Sequence, residues 1–374
     1  MKVEILKENF KKGLGVVDRI VGKNLSLPIL DNVLISTEDS FLCLNSTDLE
    51  TAIRLWILTK IVKKGKVVVP AKFLSSLVSL LPNEKIILEG KGQNLHIECK
   101  NFKNNIQGFN PEEFPLIPEF KNTEEIEVDN HSFCQGLSQI AEVASPSQSR
   151  PEISGIYFVF SKNLLKMVAT DSFRLAEKTI SLGSSIKKDI TFILPQKPAR
   201  EIINVLGDKE GKTKIYFSSN QVMFELPMKE ANHPEAQIIS RLIEGEYPNY
   251  EEIIPQNFKT KITIKRDEFL SQIKAASLFS GKINEVKIKA NPKTKNLEIS
   301  AKDPDIGESQ SEIQAKIEGE EIEASFNHKF LADGLLNIKS SEIVFNISKQ
   351  EGPCILKPVG DTSYIYVVMP IKLS

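Results

Sequence analysis

Two apolar positions two apart, then two more four apart, open the chain: Val3 and Ile5, followed by Phe10 and Leu14. A period of two giving way to a helical period predicts a strand that runs through a polar turn into an amphipathic helix. The signature recurs at Ile126, Val128, Phe133 and Leu137, and again at Ile262, Ile264, Phe269 and Ile273, with identical internal spacing. Later landmarks hold the same phase. Asp48 follows Phe10 by 38 residues, Asp171 follows Phe133 by 38, and Asp303 follows Phe269 by 34. Strand-to-helix junctions come next, at Val69-Pro70-Ala71-Lys72, Leu194-Pro195-Gln196-Lys197 and Phe326-Asn327-His328-Lys329, with lysine in the same place each time. Each unit closes on an aromatic or apolar residue before proline, at Phe114-Pro115, Tyr247-Pro248 and Met369-Pro370.

A threefold internal repeat follows, with domains expected at residues 1–122, 126–253 and 256–374. The joints fall near Ile117 to Glu125 and Glu251 to Lys259, where proline and charge replace periodic hydrophobicity. Each domain reads as doubled in turn: Val67, Val69, Phe73 and Leu77 loosely echo Val3, Ile5, Phe10 and Leu14. Between the helices, Ile156 to Phe160, Lys214 to Phe217 and Val286 to Lys289 alternate with period two, as strands with one covered face do. Glu38-Asp39-Ser40, Ser161-Lys162-Asn163 and Asn291-Pro292-Lys293 supply hairpin connections. The fold class is α+β: antiparallel sheets with two helices packed on them in each domain.

Composition narrows the function. With 374 residues, 48 Lys plus Arg and 49 Asp plus Glu, the formal net charge is −1, so no polybasic tail dominates, although a local positive stripe is compatible with that balance. Charges interrupt Met1 to Glu8 where a secretory signal needs an apolar core, and no run reaches the roughly 18 apolar residues of a membrane span; a cytoplasmic protein is expected. Cys43, Cys99, Cys134 and Cys354 are too scattered for a disulfide framework or paired zinc motif. His96, His131, His233 and His328 sit in separate segments, and His96 and Cys99 would point to opposite faces of a strand. Gly13 to Lys23 imitates a phosphate loop, but the first glycine of that motif would fall at Val17, and the segment reads as helix. Repetition of Asp48 and Asp171 points to a shared turn or cap rather than to catalysis. No metal or cofactor is expected.

Three stretches carry a resemblance. Leu27-Pro28-Ile29-Leu30 with Asn45-Ser46-Thr47-Asp48-Leu49-Glu50, Arg150 to Gly155 with Ala169-Thr170-Asp171-Ser172-Phe173-Arg174-Leu175-Ala176, and Tyr366 to Leu373 are similar to the bacterial DNA polymerase III beta subunits, or sliding clamps, from end to end. The resemblance implies a non-enzymatic ring of two head-to-tail chains, with helices lining a hole and sheets forming the wall. Twelve helices about 10 Å wide side by side give a circle on the order of 38 Å at their axes, leaving an opening of about 28 Å. A ring holds duplex DNA by topology, so weak sequence-independent attraction suffices. Lys11, Lys12, Arg19, Lys72, Lys197, Arg200, Lys265, Arg266, Lys274 and Lys329 could make its bore positive.

By the same resemblance, Lys23, Asn24, Lys72, Arg150 and Lys197 fall where the family meets DNA. A groove for short peptide motifs would comprise Ile153, Thr170, Ser172, Phe173, Arg174, Leu175, Pro248, Val367, Met369, Pro370, Ile371, Lys372 and Leu373. Ile106 in the strand Phe102 to Gln107, with Leu278 and Phe279, would fall at the dimer seam. Implied partners are double-stranded DNA, the clamp loader, DNA polymerase subunits, repair polymerases, mismatch-repair proteins and a second copy of the chain, with no membrane. Asn24 replaces a basic residue of the family, Pro151-Glu152 an aromatic pair, Phe173 a common histidine, Glu252 a basic residue and Lys372 an arginine. Two rival classes remain at this stage: an enzyme with an active site assembled across domains, and a peptide-binding scaffold that does not encircle DNA.

Overall fold

The structure is a computed structural model that describes residues 1–22, 27–120, 125–144, 147, 149–229 and 231–372. In the first repeat, β1 (Lys2–Leu6) runs into α1 (Lys7–Val17), followed by β2 (Asn32–Glu38), β3 (Phe41–Thr47), β4 (Thr51–Leu58) and β5 (Lys60–Lys63). Its second half has β6 (Lys66–Pro70), α2 (Ala71–Leu80), β7 (Lys85–Lys91), β8 (Asn94–Cys99) and β9 (Phe102–Ile106). The central repeat has β10 (Glu125–Asp129), α3 (Asn130–Ile140), β11 (Gly155–Ser161), β12 (Leu164–Thr170) and β13 (Arg174–Ser181). It continues with β14 (Ile190–Pro195), α4 (Gln196–Leu206), β15 (Lys212–Phe217), β16 (Gln221–Pro227) and β17 (Pro234–Arg241). The last repeat has β18 (Thr260–Lys265), α5 (Arg266–Ser277), β19 (Glu285–Asn291), β20 (Asn296–Asp303), β21 (Gly307–Gln314) and β22 (Lys316–Gly319). It ends with β23 (Ile322–Asn327), α6 (His328–Asn337), β24 (Glu342–Ile347), β25 (Cys354–Pro358) and β26 (Tyr364–Val368).

Each repeat is thus two halves of a strand, a helix and three further strands, with one short extra strand, β5 or β22, ending the first half of the first and last repeats. Their first strands are exchanged: β1 pairs with β7 of the second half, and β6 with β2 of the first. The halves match better than the sequence suggests. Val3, Ile5, Phe10 and Leu14 correspond to Val67, Val69, Leu74 and Val78, which are buried, whereas the anticipated Phe73 is 59% exposed. The interval from Val69 to Leu74 equals that from Ile5 to Phe10, and reading Phe73 as the member shifts the helix by one residue. A full Phe10 burial contributes roughly 2–3 kcal/mol.

The chain divides into two compact units, Met1–Cys134 with Lys197–Leu242, and Gln135–Gln196 with Ile243–Ser374. The first holds a sheet ordered β5-β1-β7-β8-β9 and another ordered β10-β15-β16-β17-β4-β3-β2-β6. The second unit holds β14-β11-β12-β13-β26-β25-β24-β18-β22 and β21-β20-β19-β23. Pairing in these sheets is antiparallel, and two of them are continuous across repeats: β4 pairs with β17 from Thr51↔Ser240 to Leu55↔Ala236, and β13 with β26 from Arg174↔Val368 to Lys178↔Tyr364.

Close helix-on-sheet contact explains a repeated glycine. A Cβ on Gly13 would lie 2.5 Å from Ile57 Cδ1, and one on Gly136 would lie 2.9 Å from Met167 Cε. In both places a larger residue on α1 or α3 would have to displace a side chain of the strands beneath it. Trp56 packs with Phe41 and Cys43, edge-on to His233, and its Nε1 donates to Glu38 Oε2 at 2.8 Å. All four cysteines are free and buried, and burial pushes the thiols of Cys43, Cys134 and Cys354 up to about 12.

Candidate functional site

The repeated aspartates close turns. Asp48 Oδ1 accepts from the backbone N–H groups of Glu50 (3.1 Å) and Thr51 (2.7 Å), and Asp171 Oδ1 from those of Phe173 (3.0 Å) and Arg174 (2.9 Å). Asp303 Oδ1 does the same for Asp305 (2.8 Å) and Ile306 (3.2 Å). In the first two copies a threonine completes the frame: Thr47 Oγ1 donates to Thr51 O at 2.9 Å and Thr170 Oγ1 to Arg174 O at 2.7 Å. Leu49 and Ser172 then take left-handed φ values of 75° and 76°. Thr170 is therefore spoken for by the turn, which fixes where Ser172, Phe173 and Arg174 emerge.

In the second unit those three residues surround a polar and aromatic cluster. Arg174, with its side chain 12% exposed, donates from Nε to Asp171 Oδ2 at 2.9 Å and from Nη1 to Asp333 Oδ2 at 2.5 Å. Its guanidinium lies 4.8 Å from the centre of the Phe330 ring, a cation–π distance. Burial works against the charge, but Tyr366, Asp171 and Asp333 outweigh it and hold Arg174 above its ordinary value. Phe173, 61% exposed, stacks on Phe330 at 6.3 Å between centroids. Phe330 and Asp333 carry this cluster and escape sequence reasoning, because they occupy the polar-looking first turn and a half of α6, with no local pattern tying them to residue 174.

The remaining groove candidates separate by burial. Leu175 and Val367 belong to a core cluster with Val168, Ile193, Tyr247, Tyr250 and Ile355. Ile153 and Pro370 are buried, Thr170, Pro248, Met369 and Ile371 half-buried, and Ser172 and Lys372 exposed; Leu373 lies outside the described residues. Past β26 the backbone stays tied down, with Met369 N–H donating to Phe173 O at 2.9 Å and Ile371 N–H to Ser325 O at 2.7 Å. Tyr247, next to Pro248, stacks on Tyr157 at 4.7 Å. Leu175 and Val367 thus lie in an apolar core, and Met369 and Ile371 follow it as half-buried side chains on a tethered backbone.

Of the DNA candidates, Lys23 and Asn24 lie outside the described residues. Lys72 is exposed on α2. Lys197 is exposed at the start of α4 and forms an ion pair with Asp48. Arg150 is exposed, with its Nε 3.3 Å from Glu152 Oε1 and its Nη1 3.5 Å from Ser172 Oγ. Arg266 is committed to Asp267 and to the carbonyl of Ile338, whereas Lys11, Lys12, Arg19 and Lys274 are exposed. Among the seam candidates, Ile106 is buried in its own sheet, Leu278 is 72% exposed and Phe279 half-buried. A cavity of about 770 Å³ in the first unit, lined by Lys12, Val16, Trp56, Val205 and Met228, takes in Lys12 of the expected bore but none of the DNA, groove or seam candidates. Among the described residues no group of three or more His, Cys, Asp or Glu side chains comes together as metal ligands, and no helix is long and apolar enough to cross a membrane.

Six copies of one strand-helix-sheet half, paired into three domains whose sheets continue into one another, define the DNA-clamp class of fold. Family models of the DNA polymerase III beta subunit match in chain order: the N-terminal domain at residues 1–118, the central domain at 127–249 and the C-terminal domain at 251–372. The chain belongs to this family. It is 28% identical to the beta sliding clamp of Staphylococcus aureus, over 100% of this chain and 99% of that one. Among solved structures it superposes on the DNA polymerase sliding clamp of Bacillus subtilis with a TM-score of 0.94 at 27% identity, and on the DNA polymerase III beta subunit of Thermotoga maritima with 0.91 at 26%, covering 100% of each chain. The family consists of non-catalytic processivity factors of DNA polymerase III, with DNA and the polymerase as partners, and clamp function follows for this chain. An enzyme on the same scaffold, and a peptide scaffold that ignores DNA, both give way to this membership.

Proposed function

We propose that two copies of the chain close head to tail into a ring around duplex DNA and tether DNA-processing proteins through the groove beside Arg174. One observation carries the closure. Within the chain, β4 pairs with β17 and β13 with β26, each joining the third strand after the helix of one half-domain to the third strand after the helix of another. By the repeat, β21 is the third counterpart of β4 and β13, and β9 the third counterpart of β17 and β26. Both stand at sheet edges. Two copies paired β9 to β21 twice would satisfy every such edge, and a rotation that closes leaves no edge to propagate. The charges agree, with Lys103 on β9 and Glu308 and Glu312 on β21. Asn104 Nδ2, also on β9, finds no acceptor among the described residues.

The ring reading assigns the domains to residues 1–122, 126–253 and 256–374, and Lys72 and Lys197, with Lys23, Asn24 and Arg150, to the DNA. The seam would comprise Leu278, Phe279 and the strand of Ile106. Peptide motifs of polymerase subunits, the clamp loader, repair polymerases and mismatch-repair proteins would enter along Met369 and Ile371 under Phe173, in the cytoplasm. Topological binding is tested by assembling the protein on a nicked circular duplex with a clamp loader, isolating the complex by gel filtration, and cutting the circle once. Protein should stay on the circle and be lost from the linear product. Equal retention on both would show an ordinary DNA binder.

A further inference from the structure

Lys197 is the middle member of the repeated lysine set, yet it is placed unlike its counterparts. Lys72 and Lys329 form no ion pair among the described residues, whereas the Lys197 ammonium, its side chain 56% exposed, is held by Asp48 Oδ2. Asp48 is placed to do this by its turn. Oδ1 is consumed by the backbone of Glu50 and Thr51, which locks the carboxylate, 23% exposed, with Oδ2 aimed outward. In the central repeat the same outward oxygen, Asp171 Oδ2, is taken at 2.9 Å by Arg174 of its own turn. Position 51, the counterpart of 174, is a buried threonine, so Asp48 has no such local cation and turns to α4 instead.

We propose that Asp48 is a built-in counter-charge that competes with duplex phosphates for Lys197 and so weakens the clamp's attraction to DNA. This rests on the reading of Lys197 as a DNA contact. A ring gains nothing from tight adhesion, because each phosphate neutralised adds to the drag on sliding, and each phosphate contact contributes about 0.9 to the salt slope of binding. A fixed carboxylate already on the lysine turns that contact into an exchange of one anion for another. An exposed ion pair of this kind is a weak competitor, so the predicted effect is a few-fold rather than orders of magnitude.

The test measures binding of the full-length protein to a fluorescent duplex by anisotropy between low and physiological salt. Asp48→Asn keeps the Oδ1 acceptor and removes the charge, and Asp48→Ser is a second variant that retains a turn-closing oxygen; thermal melts verify that each is folded. Asp48→Asn should tighten binding about two- to fivefold at low salt and steepen the salt slope by up to about 0.9. That gain should vanish in a Lys197→Ala background. Unchanged affinity in Asp48→Asn and Asp48→Ser, with weaker binding by Lys197→Ala, overturns the counter-charge while leaving the DNA contact in place. The same gain with and without Lys197 also overturns it, by reducing Asp48 to a bulk-charge effect. If Lys197→Ala and Lys72→Ala both bind as the unaltered protein does, the DNA assignment of these lysines fails and the inference falls with it.

Discussion

Arg174 is held by two carboxylates and an aromatic ring at once, and removing it strands the more buried of its partners. Asp171 has a side chain only 11% exposed, so Arg174→Met would leave a carboxylate without its cation in a site that water barely reaches. The expected loss is about 3 kcal/mol of stability in urea unfolding. Asp171→Asn in the same background keeps the acceptor for the Phe173 and Arg174 backbone positions but deletes the stranded charge, so the double variant should recover part of the loss. An Arg174→Met protein within about 0.5 kcal/mol of the unaltered one would mean the cluster is solvated well enough to be dispensable. Arg174 is thus a clasp between the turn and α6, with its charge balanced by Asp171 and Asp333.

Helix starts separate what could be read from the chain and what could not. The strand-to-helix junctions were legible because two periodicities meet there, and six α-helices among the described residues begin where Lys7, Ala71, Asn130, Gln196, Arg266 and His328 stand. The phase inside α2 was not: Phe73 looks like a core residue by type, and only the pairing of β6 with β2 shows that Leu74 and Val78 face inward. The turn role of Asp48 and Asp171 could be anticipated from their repetition, but the ion pairs that reach out from these turns could not, since Lys197 lies 149 positions beyond Asp48 and Asp333 lies 159 beyond Arg174. At α3 the start is fixed by Asp129, whose Oδ1 accepts from Ser132 N–H at 2.9 Å and Oγ–H at 2.7 Å. Those two bonds, the backbone one foremost, hold the Asp129 carboxyl below its usual value. A lowered native pKa means stability that is present above the unfolded value, near 3.9, and lost as pH falls through the native one. Asp129→Ala should therefore cost about 1 kcal/mol at neutral pH. The gap to the unaltered protein should narrow below about pH 4. A gap independent of pH in denaturation curves would assign the effect to something other than the ionised cap.

At the scale of the molecule, the question is what satisfies β9 and β21. Around β21 the surface is apolar in a way a lone chain has no use for: Leu278, Ile283 and Ile306 are 72%, 64% and 67% exposed. Phe279 sits beside the start of the strand, its Cε1 3.9 Å from where a Cβ on Gly307 would be. Phe102, 48% exposed, offers an apolar side chain on β9. Pairing the two strands would bury these groups together with two rows of unpaired backbone amides and carbonyls, the combination that makes an edge adhesive. Leu278→Glu places a charge in that patch, yet because Leu278 caps the end of α5 facing solvent, the substitution leaves the chain's own core untouched. Sedimentation should give the unaltered protein a mass twice that of the 41.9 kDa chain and the Leu278→Glu variant the mass of one chain, with the same melting temperature. The variant should also fail to remain on circular DNA. If the unaltered protein sediments as a single chain at micromolar concentration, or if the Leu278→Glu protein still sediments as two, closure through these edges is wrong, and the attraction to DNA must then come from charge alone, which a net of −1 supports poorly.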